Sequence, residues 1–442
     1  MSRTVTKSTR RCSYHPCFLI DPPPSLIFFS HQPRGSVWSR LLVTMSPQEY
    51  PTPKNKAKGV EHLLVSPSNN GPESSAALIA KLKGQTMHVP DMLSCFPACW
   101  PSGGRNKYYK RLKARFDEII EAVFPDEEMR KRAFRNDFAF FTSVWFPDAD
   151  WDQLYTVGLF SFWLFYCDDA MDEDPGSVSQ DLATSCQYRK QVLDYTRWCL
   201  GLDPPSPPSA GILSRVASWF LPAPKWNPPA PNLPNTVFKE FGERVQVSTS
   251  KVFREMFYAE IKQYIDHCEI EQTDRLSGKI SDDLESYMQV RHHTSAVRAY
   301  GYITQLGAGM RLSVWMTKSP KMQQLWDEMT VLIIITNDIL SAKKELAGGC
   351  VHNAVPVMYH QGQPLDMVIG ALMNKLDVCR KVFDETAERV TNSASKKEMN
   401  EVQRYIDGLR TNVTGTVEFC KLAQRYHNEK YFNEDGSMDI VL

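Results

Sequence analysis

The sequence has no charge excess of either sign: lysine plus arginine and aspartate plus glutamate both number 51 over 442 residues. A generic nucleic-acid or anionic-membrane binder carries a basic surplus, so that class is disfavoured, although a local anion site is not. Long apolar runs are also missing. None approaches the ~20 residues that cross a bilayer, and no integral membrane segment is expected. The eleven cysteines are odd in number and scattered, and Cys95 and Cys99 have no matching His/Cys pair nearby. That pattern fits reduced thiols rather than a disulfide framework or a zinc site. There is no repeat at fixed period and no useful run of period-2 alternation, which leaves an all-α fold.

What is present is helical patterning from Val89 onward. Helices are expected at Tyr108–Phe124, Asp126–Phe141, Trp151–Asp169 and Leu182–Leu200, then at Val237–Glu271, Asp282–Ala299, Tyr302–Val314, Lys321–Leu346, Leu365–Val390 and Lys396–Asn428. Residues 1–85 read as a poorly structured extension, with one short helix within Gly71–Gln85. The stretch Met1–Leu42 is basic, with Asp21 its only acid. A mitochondrial-type transit segment and an initiation at Met45 are both open readings, and the expectation is a disordered extension without a targeting role in a cytoplasmic protein. Asp203–Pro234 is rich in proline and is expected to be a surface excursion with a short helix at Ile212–Phe220. The main domain is therefore placed at 86–435, with 436–442 as a C-terminal tail.

Two stretches carry chemistry. In Val331–Gly349, VLIIITNDILSAKKELAGG, an apolar run turns polar at Asn337, and Asn337, Ser341 and Glu345 recur every four residues. On a helix they stack on one face. An amide oxygen, a hydroxyl and a carboxylate are hard donors suited to Mg²⁺. The second stretch ends the aromatic segment WDQLYTVGLFSFWLFYCDD. Asp168 and Asp172 are four residues apart, with Asp169 one step round. Three carboxylates at the negative end of a helix dipole repel one another unless a cation sits among them. Either stretch alone has an ordinary reading, a solvated acidic helix end or a plain amphipathic helix. The spacing excludes an EF-hand.

Together, Asp168–Asp172 as D-D-x-x-D and Asn337–Glu345 as N-D-x-x-S-x-x-K-E resemble the class I terpene synthases, in particular the fungal and bacterial sesquiterpene cyclases. Arg291 stands where that family has a diphosphate-sensing arginine, and Arg425-Tyr426 where it has a C-terminal Arg-Tyr pair. The resemblance covers about Val89–Phe432. It departs from many relatives at Thr294 and Ser295, where an acid and a glycine are common. The implied fold is a single α-helical bundle around a central active-site cavity. The implied reaction is Mg²⁺-dependent ionisation of a linear prenyl diphosphate, most simply farnesyl diphosphate, and cyclisation to a sesquiterpene hydrocarbon or alcohol. Geranyl or geranylgeranyl diphosphate is the alternative substrate.

By the same resemblance three Mg²⁺ ions are expected, with Mn²⁺ as a substitute. Asp168, with Asp169 or Asp172, would hold two, and Asn337, Ser341 and Glu345 the third. Arg291, Lys344, Arg425 and Tyr426 would bind diphosphate oxygens, as guanidinium forks do well. Phe165 leads the aromatic candidates for facing the carbocation, followed by Phe141, Trp145, Phe162 and Trp315. Ile333 and Ile334 are expected pocket wall. No side chain stands out as a general base, and the chain is expected as a monomer or homodimer. A chain-elongating prenyltransferase would need a second aspartate-rich motif where Asn337–Glu345 stands. A protonation-initiated cyclase would need D-x-D-D, which Asp148–Asp152 does not supply. A helical binding protein that has lost catalysis would lack metal ligands.

Overall fold

The computed structural model describes residues 74–442 apart from 103, 173–176 and 204–225. The expectations for residues 1–73, for the end of the acidic stretch at 173–176 and for the helix Ile212–Phe220 therefore lie outside the described residues. The first elements are a short helix, α1 (Ser75–Leu82), and a strand, β1 (Thr86–Val89). They are followed by α2 (Tyr109–Val123), α3 (Glu127–Asn136), α4 (Phe138–Trp145), α5 (Trp151–Asp172) and α6 (Leu182–Cys199). Next come α7 (Val237–Ser248), α8 (Lys251–Ser277), α9 (Leu284–Thr294), α10 (Val297–Gly307) and α11 (Pro320–Ala347). The last helices are α12 (Ala354–His360), α13 (Leu365–Thr391) and α14 (Met399–Leu422), and the chain closes with β2 (Met438–Val441).

Two of the long helices, α5 and α11, are apolar on nearly every side along part of their length. In α5, residues Val157–Leu164 are all buried, and in α11 so are Met329–Thr336. A helix apolar all round belongs inside a helical bundle. α5 packs on α4, α7 and α10, while α11 packs on α13 and α14, and α14 closes on α4. At that last crossing a Cβ on Gly415 would lie 2.6 Å from the carbonyl oxygen of Val144. Glycine is what lets α14 approach α4 so closely, and the Asn412 amide seals the contact by donating to the carbonyl of Trp145 at 3.1 Å. The helix ends follow ordinary capping chemistry. Ser319 accepts from the N–H of Met322 ahead of Pro320, and Ser250 does the same for Phe253.

Four expectations are corrected. Asp126–Phe141 is two helices: Asp137 adopts φ +43°, caps α4 through the N–H of Phe140, and turns the chain. Val237–Glu271 is broken at Thr249-Ser250, where Ser250 starts α8. Asp282–Ala299 is broken at Ser295-Ala296, with Ala296 at φ +55°. Finally, the expected tail holds a strand, β2, pairing antiparallel with β1 from Thr86 opposite Val441 to Val89 opposite Met438. Its buried residues, Met438 and Ile440, alternate with exposed ones over only four positions, too few to register as a pattern.

Candidate active site

The long central helices run from apolar to polar toward their C-terminal ends, and those ends meet. On α5 the order is Phe165, Asp168, Asp172; on α11 it is Ile333, Ile334, Asn337, then Lys344 and Glu345. On α14 and its continuation it is Phe419, then Arg425 and Tyr426. All of these line one cavity of 590 Å³, within the ~300–1,000 Å³ of small-molecule sites. Its apolar part is aromatic. Phe141 lies tilted against Trp145 at 4.4 Å between centroids, and Trp145 lies 4.6 Å from Tyr300. Phe165 lies 4.8 Å from Phe141 and 5.9 Å from Phe419.

The charged rim is wired across helices. Arg291 donates from Nη2 to Asn337 Oδ1 at 3.2 Å, and Asn337 Nδ2 donates to Tyr426 Oη at 3.3 Å. Arg291 Nε faces Asp338 Oδ1 at 3.7 Å, and neither atom has a hydrogen-bond partner among the described residues. Arg425 grips Asp169 with two nitrogens, at 2.8 and 3.1 Å, and its guanidinium lies 5.6 Å from the ring centre of Phe165. Asn136 donates a third hydrogen bond to Asp169 at 3.0 Å. Tyr264 donates to Asp168 at 3.2 Å.

These contacts separate the three aspartates. Burial, reinforced by Asp169, pushes the Asp168 carboxyl up to about 7 despite Arg291. Asp172 is raised well above the usual carboxylate range by burial and then by Glu271 and Asp168. Burial works against ionising Asp169 too, but Arg425 overrides it and holds that carboxyl low. Asp168 and Asp172 are thus an under-neutralised pair at a helix C-terminus, and a divalent cation would relieve their repulsion. Across the rim, Asn337 and Glu345 supply oxygen donors of the kind such an ion takes. The residues present fit a bound divalent metal, although among the described residues no set of three His, Cys, Asp or Glu side chains is already gathered to hold one.

The structure brings Asp168, Asp172, Arg291, Asn337, Lys344, Glu345, Arg425, Tyr426 and Phe165 to the cavity wall, with Phe141, Trp145, Ile333 and Ile334. Asp169 is turned away, toward Arg425 and Asn136. Ser341 is buried behind the wall, its Oγ 3.5 Å from the Asn353 amide. Two aromatic expectations are corrected. Phe162 is fully buried in the core against Phe116 and Phe138, and Trp315 is surface-exposed on a short turn. The sequence reading missed Glu271 and Arg275 on α8, and Tyr300 and Phe419 among the aromatics. Tyr264, Cys268, Glu271 and Arg275 fall on one helix face. Charge on an otherwise buried stripe was the available signal.

Residues 160–381 match the family model described as terpene synthase family 2, C-terminal metal binding. A sesquiterpene cyclase of Aspergillus oryzae is 26% identical, over 83% of this chain and 96% of its own length. A silphinene synthase of Penicillium patulum is 21% identical, over 81% and 89%. Among solved structures, a linalool/nerolidol synthase from Streptomyces clavuligerus in complex with 2-fluorogeranyl diphosphate has a TM-score of 0.57 at 16% identity. That match covers 74% of this chain and 99% of the other. A protein from ancestral sequence reconstruction has a TM-score of 0.58 at 18% identity, over 74% and 90%. At these identities the structures speak to the fold, which is the class I α-helical one.

Proposed function

The chain belongs to the metal-binding terpene synthase family and is a terpene cyclase, and we propose that it ionises farnesyl diphosphate with Mg²⁺ and closes the resulting carbocation into a sesquiterpene. The observation that carries this reading is the meeting, around one aromatic cavity, of Asp168 and Asp172 with Asn337 and Glu345, together with Arg291 and Arg425. Asp168 and Asp172 would hold cations on one side, and Asn337, Ser341 and Glu345 on the other, three ions in all. When bound, the ions neutralise the charge that develops on the departing diphosphate.

This chain's own residues do the rest. Arg291, Lys344, Arg425 and Tyr426 are within the rim and suited to bind diphosphate oxygens. In the present arrangement Arg291 and Tyr426 occupy the Asn337 amide, and Arg425 occupies Asp169. Binding a diphosphate therefore exchanges protein–protein hydrogen bonds for protein–ligand ones, which links ionisation to a rearrangement of the rim. Below it, Phe141, Trp145, Phe165, Tyr300 and Phe419 exclude water and present ring faces worth about 0.5–2 kcal/mol each to a cation. The Tyr300 hydroxyl is tied to Ser161 Oγ at 3.0 Å, which turns its reactive end away from the pocket.

The test is gas chromatography–mass spectrometry of products from purified protein with Mg²⁺ and, separately, geranyl, farnesyl and geranylgeranyl diphosphate. A cyclic C15 product from farnesyl diphosphate, cut at least ~100-fold in Asp168→Ala and in Asn337→Ala, is the expected result. Linear alcohols alone, formed equally by the variants, would overturn it.

A further inference from the structure

Asn353 does not line the cavity, yet its amide reaches three residues of the helix that carries Asn337 and Glu345. It is fully buried at the N-terminus of α12, just after the turn at Gly348-Gly349 brings the chain back along α11. Its Oδ1 accepts from the N–H of Val355 at 2.8 Å and so caps α12. That bond fixes which end of the amide is which, because a backbone N–H needs the oxygen. The nitrogen must then face α11. There Nδ2 donates to Glu345 Oε2 at 2.8 Å and to the main-chain carbonyl of Asp338 at 2.8 Å, and it lies 3.5 Å from Ser341 Oγ.

A cap alone does not require asparagine. Serine, threonine and aspartate offer the same acceptor. Only an amide can cap with one end and donate two hydrogen bonds with the other. The two short contacts use both Nδ2 protons and pin one oxygen of Glu345, leaving Oε1 for another partner. Without that anchor, Glu345 would be a long side chain beside the buried Asp338, free to turn away.

We propose that Asn353 is a positioning residue for cation binding: from the start of α12 it holds the Glu345 carboxylate on the polar face of α11 before any ligand arrives. This rests on the reading that Asn337, Ser341 and Glu345 hold a divalent ion. The same dependence explains why Asn353 lies outside both motifs: it acts through their residues, at their backs.

The test is calorimetric titration of inorganic diphosphate in the presence of Mg²⁺, on wild type, Asn353→Ser, Asn353→Asp, Glu345→Ala and the double variant Asn353→Ser/Glu345→Ala. Both Asn353 variants keep an oxygen for the α12 cap and lose the donors. They are expected to bind Mg²⁺–diphosphate about 10- to 100-fold more weakly, the usual effect of losing a partner behind a metal ligand, with the unfolding temperature nearly unchanged in Asn353→Ser and lowered in Asn353→Asp, whose buried carboxylate would face Glu345. In steady state the Mg²⁺ requirement should rise, while KM for the prenyl diphosphate at saturating Mg²⁺ stays close to wild type. In the Glu345→Ala background, Asn353→Ser should add less than about twofold. Wild-type affinity in both Asn353 variants would overturn the inference and leave the proposed function standing. So would a loss that tracks the unfolding temperature and persists in full without Glu345, since Asn353 would then be only a structural cap. A wild type that binds no diphosphate with Mg²⁺ would remove the proposed function and this inference together.

Discussion

Arg425 and Asp169 show how a buried ion pair fixes a guanidinium at the rim of the cavity. The guanidinium fork meets both carboxylate oxygens while its plane lies near Phe165. A lysine there keeps the charge but loses the two-point geometry. Hydrogen bonds to charged groups contribute about 1.5–3 kcal/mol, so Arg425→Lys is expected to lower kcat/KM for the prenyl diphosphate roughly 10- to 100-fold. Steady-state kinetics with the fold checked by circular dichroism decides it, and an unchanged kcat/KM would remove Arg425 from the diphosphate site. On the far side of α11, Glu328 makes a different prediction. It is buried between α11 and α13, and burial, with Asp327 adding, raises its carboxyl to about 7 against Cys379 and Lys375. An acid whose folded pKa is raised favours the folded state while it stays protonated. That contribution is lost as pH climbs from about 4.5 through about 7, at about 1.4 kcal/mol per pH unit. Urea unfolding of Glu328→Gln and wild type at pH 5 and pH 8 should therefore show the difference shifting toward the glutamine variant at pH 8, by up to about 3 kcal/mol. A pH-independent difference would mean the carboxyl does not titrate in this range.

At the scale of elements, legibility in the sequence depended on whether a signal was local. The buried helices α5 and α11 could be read because an unbroken apolar run has few other uses. The spacing of Asn337, Ser341 and Glu345 was legible because helix geometry is fixed. The breaks at Asp137, Thr249-Ser250 and Ala296 were not, since apolar periodicity continues through all three. The first two are set by local caps, Asp137 and Ser250, whose residue types are also common inside a helix, while Ala296 takes φ +55° with no glycine to announce it and the wall residues Thr294–Val297 sit at the cavity. Asp169 was read on the correct helix, but which way it faces depends on Arg425, distant in sequence. Asp137 offers a test of the first break. Its Oδ1 caps α4 and its Oδ2 accepts from the Tyr109 hydroxyl at 2.8 Å, at a left-handed φ. Asp137→Ala loses the cap, worth about 1 kcal/mol, and puts an ordinary Cβ where it costs about 1 kcal/mol more. Asp137→Asn keeps both the cap and the tolerance for that conformation. Chemical denaturation should show a loss of about 2 kcal/mol for alanine and well under 1 for asparagine. Equal losses would mean that the negative charge, not the turn, is what matters.

For the whole molecule, the decisive feature is that carboxylates from separate helices converge at C-terminal ends, where the helix dipoles disfavour them. The bundle tolerates this by partial pairing: Arg425 answers Asp169, while Asp168 and Asp172 keep raised pKa values. Such a rim stores an unfavourable interaction that a cation removes. On the proposed reading, the arginines beside it would disfavour a cation alone and attract the diphosphate. Mg²⁺ and inorganic diphosphate should therefore bind as partners, each raising the other's affinity. Ligands that bind only the folded state stabilise it by RT ln(1 + [L]/Kd), about 2.7 kcal/mol at a hundredfold excess over Kd. For a chain of this size that corresponds to a rise of a few degrees in unfolding temperature. The expected pattern in a thermal-shift experiment is little change with Mg²⁺ alone, little with diphosphate alone, a clear rise with both, and reversal by a chelator. Because the stabilisation arises from joining α5 to α11 across the cavity, it should vanish in Asp168→Ala and in Glu345→Ala alike, although these residues lie on different helices. A rise that survives the chelator, or that depends on one helix only, would mean diphosphate binds through the arginines without a metal bridge between the two sides.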